Sequence, residues 1–223
     1  GQLGVGSQLS FISQPQQRGG NLPPVKALAP GGTHSLAVTR DGRVFAWGGN
    51  TYGQLGVGDS NNRFEPVEVA GLSDVTGVIA GWNFSAALKA DGTVWAWGDN
   101  TAYQLGDTTQ ISSNIPIQVP GLAGVKKLFT NFGGIFAQKA DGTMWVTSWT
   151  PAGIPGDQGP QSGARHVAAY DGFVEIAGYQ GLQRRGVLRQ PALQQPARLH
   201  HQPGGEHFVH ARRDARVQVG GGA

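Results

Sequence analysis

The 223-residue sequence has no cysteine, and this absence excludes several kinds of site at once. Without thiols the chain has no disulfide framework, no iron–sulfur cluster, no all-cysteine zinc site and no thiol nucleophile. Long apolar runs are also missing, since none approaches the about 18 residues that a spanning helix requires. The sequence therefore predicts no membrane span, and it leaves the compartment of the protein open.

Charged residues are scarce, at 14% of the chain, and they are unevenly divided. Residues 1–149 contain nine Lys and Arg and nine Asp and Glu, so their formal charges cancel. The net charge of +3 comes from residues 150–223, which hold eight Arg and five acids. A neutral main body lacks the basic surface that is typical of nucleic-acid binding, so we predict no specific nucleic-acid partner.

Glycine, in contrast, is abundant, with 37 residues, and much of it belongs to an internal repeat of 50 residues. The pair Asp-Gly recurs at this step, at residues 41, 91 and 141. Residues 31–80 and 81–130 share 19 identities without a gap, whereas unrelated sequences would share roughly 3. A fixed period of this size is typical of repeat architectures.

A partial copy precedes the two full copies. Residues 1–6 match residues 53–58 letter for letter, so the chain starts inside a repeat. We therefore expect a partial blade over residues 1–30, and a start of this kind is what a fragment of a longer protein would show.

A degraded copy follows over residues 131–180. Trp145 persists in it, but Thr147-Ser148 stands where the second copy has a Trp-Gly pair. We therefore expect one repeat region over residues 1–180. Residues 181–223 form a low-complexity tail rich in Arg, Gln, Pro and Gly, and disorder, a decayed repeat and a frameshifted reading remain open for it.

Each repeat is predicted to form four short antiparallel strands, which is the content of one blade of a β-propeller. In the first copy these strands are His34–Thr39, residues 44–47, a strand starting at Pro66, and Val75–Ala80. The Asp-Gly pair predicts a type I′ hairpin turn with two positive φ angles. Small residues place the first of these strands innermost, and Trp47 and Trp97 are expected to pack one blade on the next.

The string Asp-Gly-x-Val-x-x-Trp-Gly-x-Asn-x-x-x-Gln-Leu-Gly, complete in both full copies, resembles the repeat of the regulator of chromosome condensation (RCC1-type) family. The resemblance implies an all-β propeller, usually of seven blades. This sequence accounts for about 2 to 3.5 blades, which is an incomplete ring with an irregular C-terminal tail. Self-association would cover the open blades that such a ring exposes.

Three functions follow as expectations. A propeller with variable loops on a constant framework predicts a non-catalytic protein–protein interaction scaffold, with a protein partner of unknown identity. The resemblance also implies guanine-nucleotide exchange on a small GTPase as one alternative. Secreted bacterial relatives that inhibit β-lactamases imply another. Aromatic residues in the loops, or at places where one copy departs from the other, are the candidate partner-binding residues: Tyr52, Phe64, Trp82, Phe84 and Tyr103.

No catalytic, cofactor-binding or metal-binding residue is predicted, and no cofactor. The Gly-rich strings lack the Gly-Lys-Ser/Thr ending of a phosphate loop, and Asp41, Asp91 and Asp141 are interpreted as turn residues. Four histidines of the tail, between 200 and 210, have no metal-site spacing. Asn83-Phe84-Ser85 is a glycosylation sequon that we attribute to chance, because it opens a predicted inner strand.

Overall fold

The computed structural model describes residue 4 and residues 22–130, 133–148, 163–168, 171, 175–177 and 187–189. In these ranges the chain forms short β-strands joined by turns and loops. No helix in the same ranges is long and apolar enough to span a membrane. The predicted all-β class is confirmed.

Twelve of the strands form three antiparallel sheets of four. The first sheet contains β1 (Val25–Pro30), β2 (His34–Thr39), β3 (Val44–Gly48) and β4 (Arg63–Glu68). The second contains β5 (Val75–Ala80), β6 (Phe84–Lys89), β7 (Val94–Gly98) and β8 (Ser113–Gln118). The third contains β9 (Val125–Thr130), β10 (Ile135–Lys139), β11 (Met144–Val146) and β12 (Arg165–His166).

These sheets are three blades of a β-propeller that does not close into a ring within the described ranges. The blades converge at their first strands, because β1 contacts β5 and β5 contacts β9. The prediction that His34–Thr39 is innermost is therefore wrong: β2 is the second strand of its sheet, and β1 lies inside it.

The sheet boundaries are also shifted against the sequence copies. Val75–Ala80 was predicted as the fourth strand of the first blade, but it pairs with β6 and opens the second blade. The reason is the short connection after Ala80, where Gly81 N donates to Phe84 O at 2.8 Å and closes a tight hairpin. Pro66 lies inside β4 rather than at its start, on the outermost strand, where a missing N–H costs no ladder hydrogen bond.

The Asp-Gly turns form hairpins, but of a different type from the one predicted. Only the glycine has a positive φ, 80° at Gly42, while Asp41 is not in the left-handed region. Gly42 N donates to Thr39 O and Thr39 N donates to Arg43 O. This is the three-residue hairpin loop with glycine in the left-handed position, so one positive φ suffices.

The hydrophobic core is divided between the blades. One cluster joins the first and second sheets and includes Leu36, Val44 and Trp97. A second cluster joins the second and third sheets and includes Phe84, Leu105 and Ile135. The prediction that tryptophan packs one blade on the next is confirmed for Trp97, which is fully buried against the first sheet.

The third blade keeps the framework despite its degraded sequence. Val167 N donates to Met144 O as Val69 N donates to Val44 O in the first blade. Ser148 adopts a φ of 60° where the other two blades have a glycine. Two further strands, β13 (Glu175–Ala177) and β14 (Val187–Arg189), pair with each other. The sequence did not predict β14, and the rest of 181–223 lies outside the described residues.

Within the matching segment 1–6 the structure describes one residue, Gly4, and residues 25–30 of the expected partial blade form β1 of the first sheet. A Cβ on Gly4 would lie 2.9 Å from Trp47 Nε1, just as a Cβ on Gly56 would lie 2.7 Å from Trp97 Nε1. Gly4 therefore stands against the first blade as Gly56 stands against the second, which is the relation that the match between residues 1–6 and 53–58 leads one to expect at this position.

Candidate functional site

Strand direction sorts the connections of each blade onto two opposite faces. In an antiparallel sheet the β1–β2 and β3–β4 connections leave from one end, and the β2–β3 turn leaves from the other. We call the first end the loop face; its described connections are 31–33, 49–62, 81–83 and 99–112. The opposite end, which carries the Asp-Gly turns at 40–43, 90–93 and 140–143, is the turn face.

Two predicted partner-binding residues, Tyr52 and Trp82, lie on the loop face and are exposed. The exposed fractions are 46% for Tyr52 and 59% for Trp82. Exposure of large aromatic side chains to water is energetically unfavourable, so exposed aromatic residues often mark interaction surfaces.

Trp82 packs against the backbone of the neighbouring blade at Gly32. Gly32 N donates to Gly81 O at 3.0 Å, so the turns at 31–33 and 81–83 lie side by side. A Cβ on Gly32 would lie 3.2 Å from Trp82 Cδ2 and 2.7 Å from Trp82 O. The absence of a side chain at Gly32 therefore allows the indole of the second blade to lie against the backbone of the first.

Tyr52 belongs to a loop that is fixed to both blades. Tyr52 N donates to Gln54 Oε1 at 2.9 Å, and Gln54 Nε2 donates to Thr33 Oγ1 at 3.2 Å. Further along, Gly58 N donates to Asn114 O at 2.9 Å. The loop that carries Tyr52 is thus anchored to its own sheet at one end and to the second sheet at the other.

A buried asparagine organises each long loop from within. Asn50 Oδ1 accepts from Leu55 N at 2.9 Å, and Asn50 Nδ2 donates to Asp59 O at 2.9 Å. Asn100 makes the same contact with Leu105 N in the second blade, also at 2.9 Å. These internal hydrogen bonds give the two loops a common frame on which different side chains are displayed.

The other three predicted residues are less accessible. Phe64, on β4, and Tyr103 are half-buried. Tyr103 has a φ of 62° at the place where the first copy has Gly53, so the second copy accepts a strained backbone there. Phe84 corrects the prediction: it is 1% exposed and packs in the cluster that contains Ile135, so no partner can reach it in this structure.

Three exposed apolar residues escaped the sequence reasoning: Leu28 on β1, and two isoleucines of the second blade. Ile111 and Ile115 lie at the outer end of the second blade and are exposed. The gap-free alignment of the two copies held the signal, because these isoleucines replace Asn61 and Glu65 of the first copy. The outer end of the second blade is therefore more apolar than that of the first at these two positions.

One polar cluster is buried beneath the loop face. His34 Nε2 lies 2.8 Å from Ser85 Oγ, which donates to Gln54 O at 2.7 Å. Trp97 Nε1 donates to the same carbonyl at 2.9 Å. Burial lowers the pKa of His34 to about 4, because desolvation disfavours the imidazolium.

The carboxylates of the turn face serve the hairpins. The hydroxyl of Thr93 donates to Asp91 Oδ1 at 2.6 Å and Thr93 N donates to the same oxygen at 2.9 Å. These hydrogen bonds hold the pKa of Asp91 below its ordinary value. The same hydroxyl contact acts on Asp141, so the turn interpretation of these residues accounts for their chemistry. The described residues contain no group of three His, Asp or Glu that could hold a metal ion.

Comparison with known proteins places this fold in a named repeat class. A profile of the regulator of chromosome condensation (RCC1) repeat matches residues 41–88 and 91–130, and a second profile of that repeat matches 25–54 and 75–104. The human probable E3 ubiquitin-protein ligase HERC4 is 42% identical over 67 residues, which are 30% of this chain and 6% of that protein. The human regulator of chromosome condensation is 44% identical over 71 residues, 32% of this chain and 17% of that protein.

A solved structure agrees on the fold. Prp20p from Saccharomyces cerevisiae, described together with its binding properties to Gsp1p and histones, matches with a TM-score of 0.57 and 21% identity. The match covers 66% of this chain and 39% of Prp20p. This chain thus spans less than half of the proteins that it resembles.

Proposed function

We propose that this chain, an RCC1-type repeat protein, is a non-catalytic interaction scaffold that binds a protein partner through its loop face. The residues proposed for contact are Tyr52 and Trp82, with Phe64 and Tyr103 beside them at the same end of the sheets. The opposite face, which carries the Asp-Gly turns, is not part of the proposed contact.

The proposal rests on one contrast: the two full copies share the residues that build the loops, but they differ in the aromatic residues that the loops expose. The buried asparagine, the Gln-Leu-Gly segment and the glycine turns are shared by both full copies. The exposed aromatic residues are not shared: Tyr52 is alanine in the second copy, and Trp82 is glycine in the first. Repeat proteins place binding residues at such repeat-specific positions on a rigid frame.

The repeat itself supplies variants for a test. Tyr52→Ala and Trp82→Gly each introduce the residue that the other copy has at the same place, so the backbone accommodates both. Affinity purification from cell extract, with quantitative mass spectrometry, compares the wild-type chain with the double variant. We expect at least one bound protein to fall by about tenfold or more, which corresponds to the loss of one aromatic hot spot.

A matched control lies on the turn face. Arg40→Ala introduces the residue that both other copies have there, and it removes an exposed side chain at the opposite end of the sheets. This variant should retain every protein that the wild-type chain binds. Equal retention by the double variant, or equal loss by the control, contradicts the assignment of the loop face.

Nucleotide exchange on a small GTPase is the alternative that the similarity to the regulator of chromosome condensation favours. It also would use a protein-binding face, but it predicts a catalytic outcome. Release of a fluorescent guanine nucleotide from a panel of small GTPases would accelerate in the presence of the chain. An unchanged release rate, alongside retained partner binding, leaves the scaffold as the function.

Self-association is a second interaction that one residue favours. Leu28 on β1 is 65% exposed, whereas Val78 and Leu128, at the same place in the next two blades, pack against core clusters. Contact with a second copy would cover this side chain. Sedimentation of the wild-type chain and of Leu28→Lys should show a dimer that the substitution weakens, and two monomers of equal size would refute the contact.

A further inference from the structure

The interface between the first and second blades contains a polar contact that the next interface lacks. His34 at the start of β2 reaches Ser85 of the second blade. At the equivalent places one repeat later stand Phe84 and Ile135, which lie in the same apolar cluster. Of the two interfaces, the one between the first and second blades therefore has an ionisable residue, His34, where the other has Phe84.

The hydrogen bonds define the tautomer of this histidine. Ser85 has one hydroxyl hydrogen, and it donates this hydrogen to Gln54 O. Ser85 Oγ is therefore the acceptor from His34, and Nε2 of His34 carries a hydrogen. Nδ1 is then a bare lone pair, and it is buried with no hydrogen-bond partner among the described residues.

In this arrangement a proton on Nδ1 would have no acceptor among the described residues, and no carboxylate is hydrogen-bonded to the ring. A Cβ on Gly31 would lie 2.7 Å from Nδ1, so glycine backbone occupies that side of the ring. The described elements around His34 carry five ionisable groups. They are Tyr52 and Asp59 in the long loop, Asp99 after β7, and Lys26 and Lys89, which lie at the opposite ends of β1 and β6 from the turns beside His34. The Asp59 carboxylate is already bound by Arg63 at 2.6 Å.

We propose that His34, Ser85 and the Gln54 carbonyl form an acid-sensitive latch that holds the first blade to the second and opens when Nδ1 is protonated. The imidazolium would be an unpaired buried charge, and the chain relieves it by separating the loop and the strand ends around the ring. The lowered pKa of His34 agrees with this geometry, since burial favours the neutral ring.

Opening of the latch would act on the loop face. Gln54 O accepts from both Ser85 and Trp97, and Gln54 lies two residues after Tyr52 in the same loop. Release of this carbonyl frees the loop that displays Tyr52. This consequence for partner binding rests on the proposed function, whereas the latch itself is a property of the fold and is tested without a partner.

Hydrogen exchange of the full chain tests the latch with an internal control. Protection factors, corrected for intrinsic exchange, are measured between pH 7 and pH 4 for peptides that cover β2 and residues 54–56, and for peptides that cover β10. We expect protection at the first interface to fall by about tenfold or more relative to β10 over this range. In His34→Phe, which has the residue of the next repeat, the two interfaces should respond alike.

Two further measurements keep the proposal decidable if that variant does not fold. The double variant His34→Phe, Ser85→Ile introduces the apolar pair of the second interface and should also lose the differential response. Long-range ¹H–¹⁵N spectra of the wild-type chain should show His34 protonated on Nε2 at pH 7, with titration below about pH 5. Equal loss of protection at both interfaces, a drop that persists in the variants, or titration of His34 near pH 6.5 would overturn the latch.

Discussion

The two interfaces between the three blades have the same backbone arrangement, but the large and the small side chain exchange places between them. Between the first and second blades, Trp97 is large and its neighbour Ser85 is small. Between the second and third, Thr147 takes the tryptophan position and Ile135 takes the serine position. Both arrangements are buried, and both supply a donor to the same carbonyl of the loop: Trp97 Nε1 to Gln54 O at 2.9 Å, and Thr147 Oγ1 to Gln104 O at 2.7 Å.

Between these interfaces the repeat preserves the position of a hydrogen-bond donor rather than residue identity. A hydroxyl on a small side chain replaces an indole N–H, and a larger side chain on the neighbouring strand restores part of the volume that is lost. Because protein interiors are packed at crystal-like density, the two changes depend on each other. A degraded copy in sequence can therefore still be a well-packed blade in structure.

The largest expected effect comes from breaking this pairing at one position. Trp97→Thr introduces the residue of the third blade while Ser85 stays small, so a cavity opens in a fully buried site. We expect the free energy of unfolding to fall by about 3–5 kcal/mol. Equilibrium denaturation by urea, monitored by circular dichroism, measures the loss.

The triple variant His34→Phe, Trp97→Thr, Ser85→Ile is the matched control for that loss. It introduces the three residues of the second interface into the first and leaves no histidine N–H without its serine acceptor, and we expect it to recover about 1 kcal/mol or more relative to the double variant His34→Phe, Trp97→Thr. If isoleucine at 85 adds its own cost instead, the volume exchange between the interfaces is not a compensation.

The second prediction uses pH to separate the interfaces. The pKa of His34 is about 4 in the folded chain, whereas a histidine in the unfolded chain has its ordinary pKa of 6.5, so unfolding takes up a proton between these values. The folded state therefore has its full stability from neutral His34 above pH 6.5, and it loses this stability as the pH falls towards 4. Over this window we expect the free energy of unfolding to decrease by about 3 kcal/mol from this residue.

The variant His34→Phe isolates this contribution, because other groups also titrate in acid. The turn carboxylates, for example Asp91, have lowered pKa values and lose their stabilising contacts below the ordinary aspartate range. The difference between the wild-type and variant pH profiles should be confined to pH 4–6.5. Parallel profiles across that window would exclude His34 as the source.

A third, smaller effect is expected at the hairpin before β6. A Cβ on Gly81 would overlap Phe84 Cε1, and that ring is buried and cannot move freely. Gly81→Ala should therefore destabilise the chain by about 1–3 kcal/mol through overpacking. Gly31→Ala places a methyl group against the His34 ring in the same way. Comparing the thermal stability of the two variants tests whether the Phe84 and His34 rings resist the added methyl group equally.

Gly77→Ala, on β5 just before that hairpin, is the control. Nothing lies within 4 Å of a Cβ built there, and its φ is not in the left-handed region. We expect this substitution to leave the stability unchanged or to raise it by about 0.4–1 kcal/mol. A loss as large as that of Gly81→Ala would show that the strand, not the ring, resists the methyl group.

Much of the fold could be predicted from the period alone. The recurrence of Asp-Gly at residues 41, 91 and 141 placed each hairpin, and the flanking β-branched and small residues placed strands on either side. The grouping of strands into sheets could not be predicted, because a period gives spacing and not pairing. Only the short connection between Ala80 and Phe84 decides that β5 belongs to the second sheet.

The candidate site was predictable only in part, for a related reason. Departures between copies identified Trp82 and Phe84 together, but a departure does not state which side of a backbone a residue faces. Both sides of β6 are buried between blades, so Phe84 lies in the core with Ala86 and Leu88, while Trp82 lies in the exposed turn before the strand. The latch was also hidden, since Ser85 is shared by both copies and its partner His34 lies 51 residues away.

The smallest expected effect concerns the turn face, where a cation covers an aromatic ring in each blade. Lys139 Nζ lies 4.0 Å from the ring centroid of Trp145, whereas Lys89 Nζ lies 5.8 Å from that of Trp95. Substitution by threonine, the residue of the first copy, should cost about 0.5–1 kcal/mol at Lys139 and less at Lys89, because the attraction weakens with distance from the ring. Double-mutant cycles with leucine in place of each tryptophan measure the coupling in urea denaturation. Equal coupling energies in the two blades would contradict a cation–π contribution that depends on the distance between Nζ and the ring.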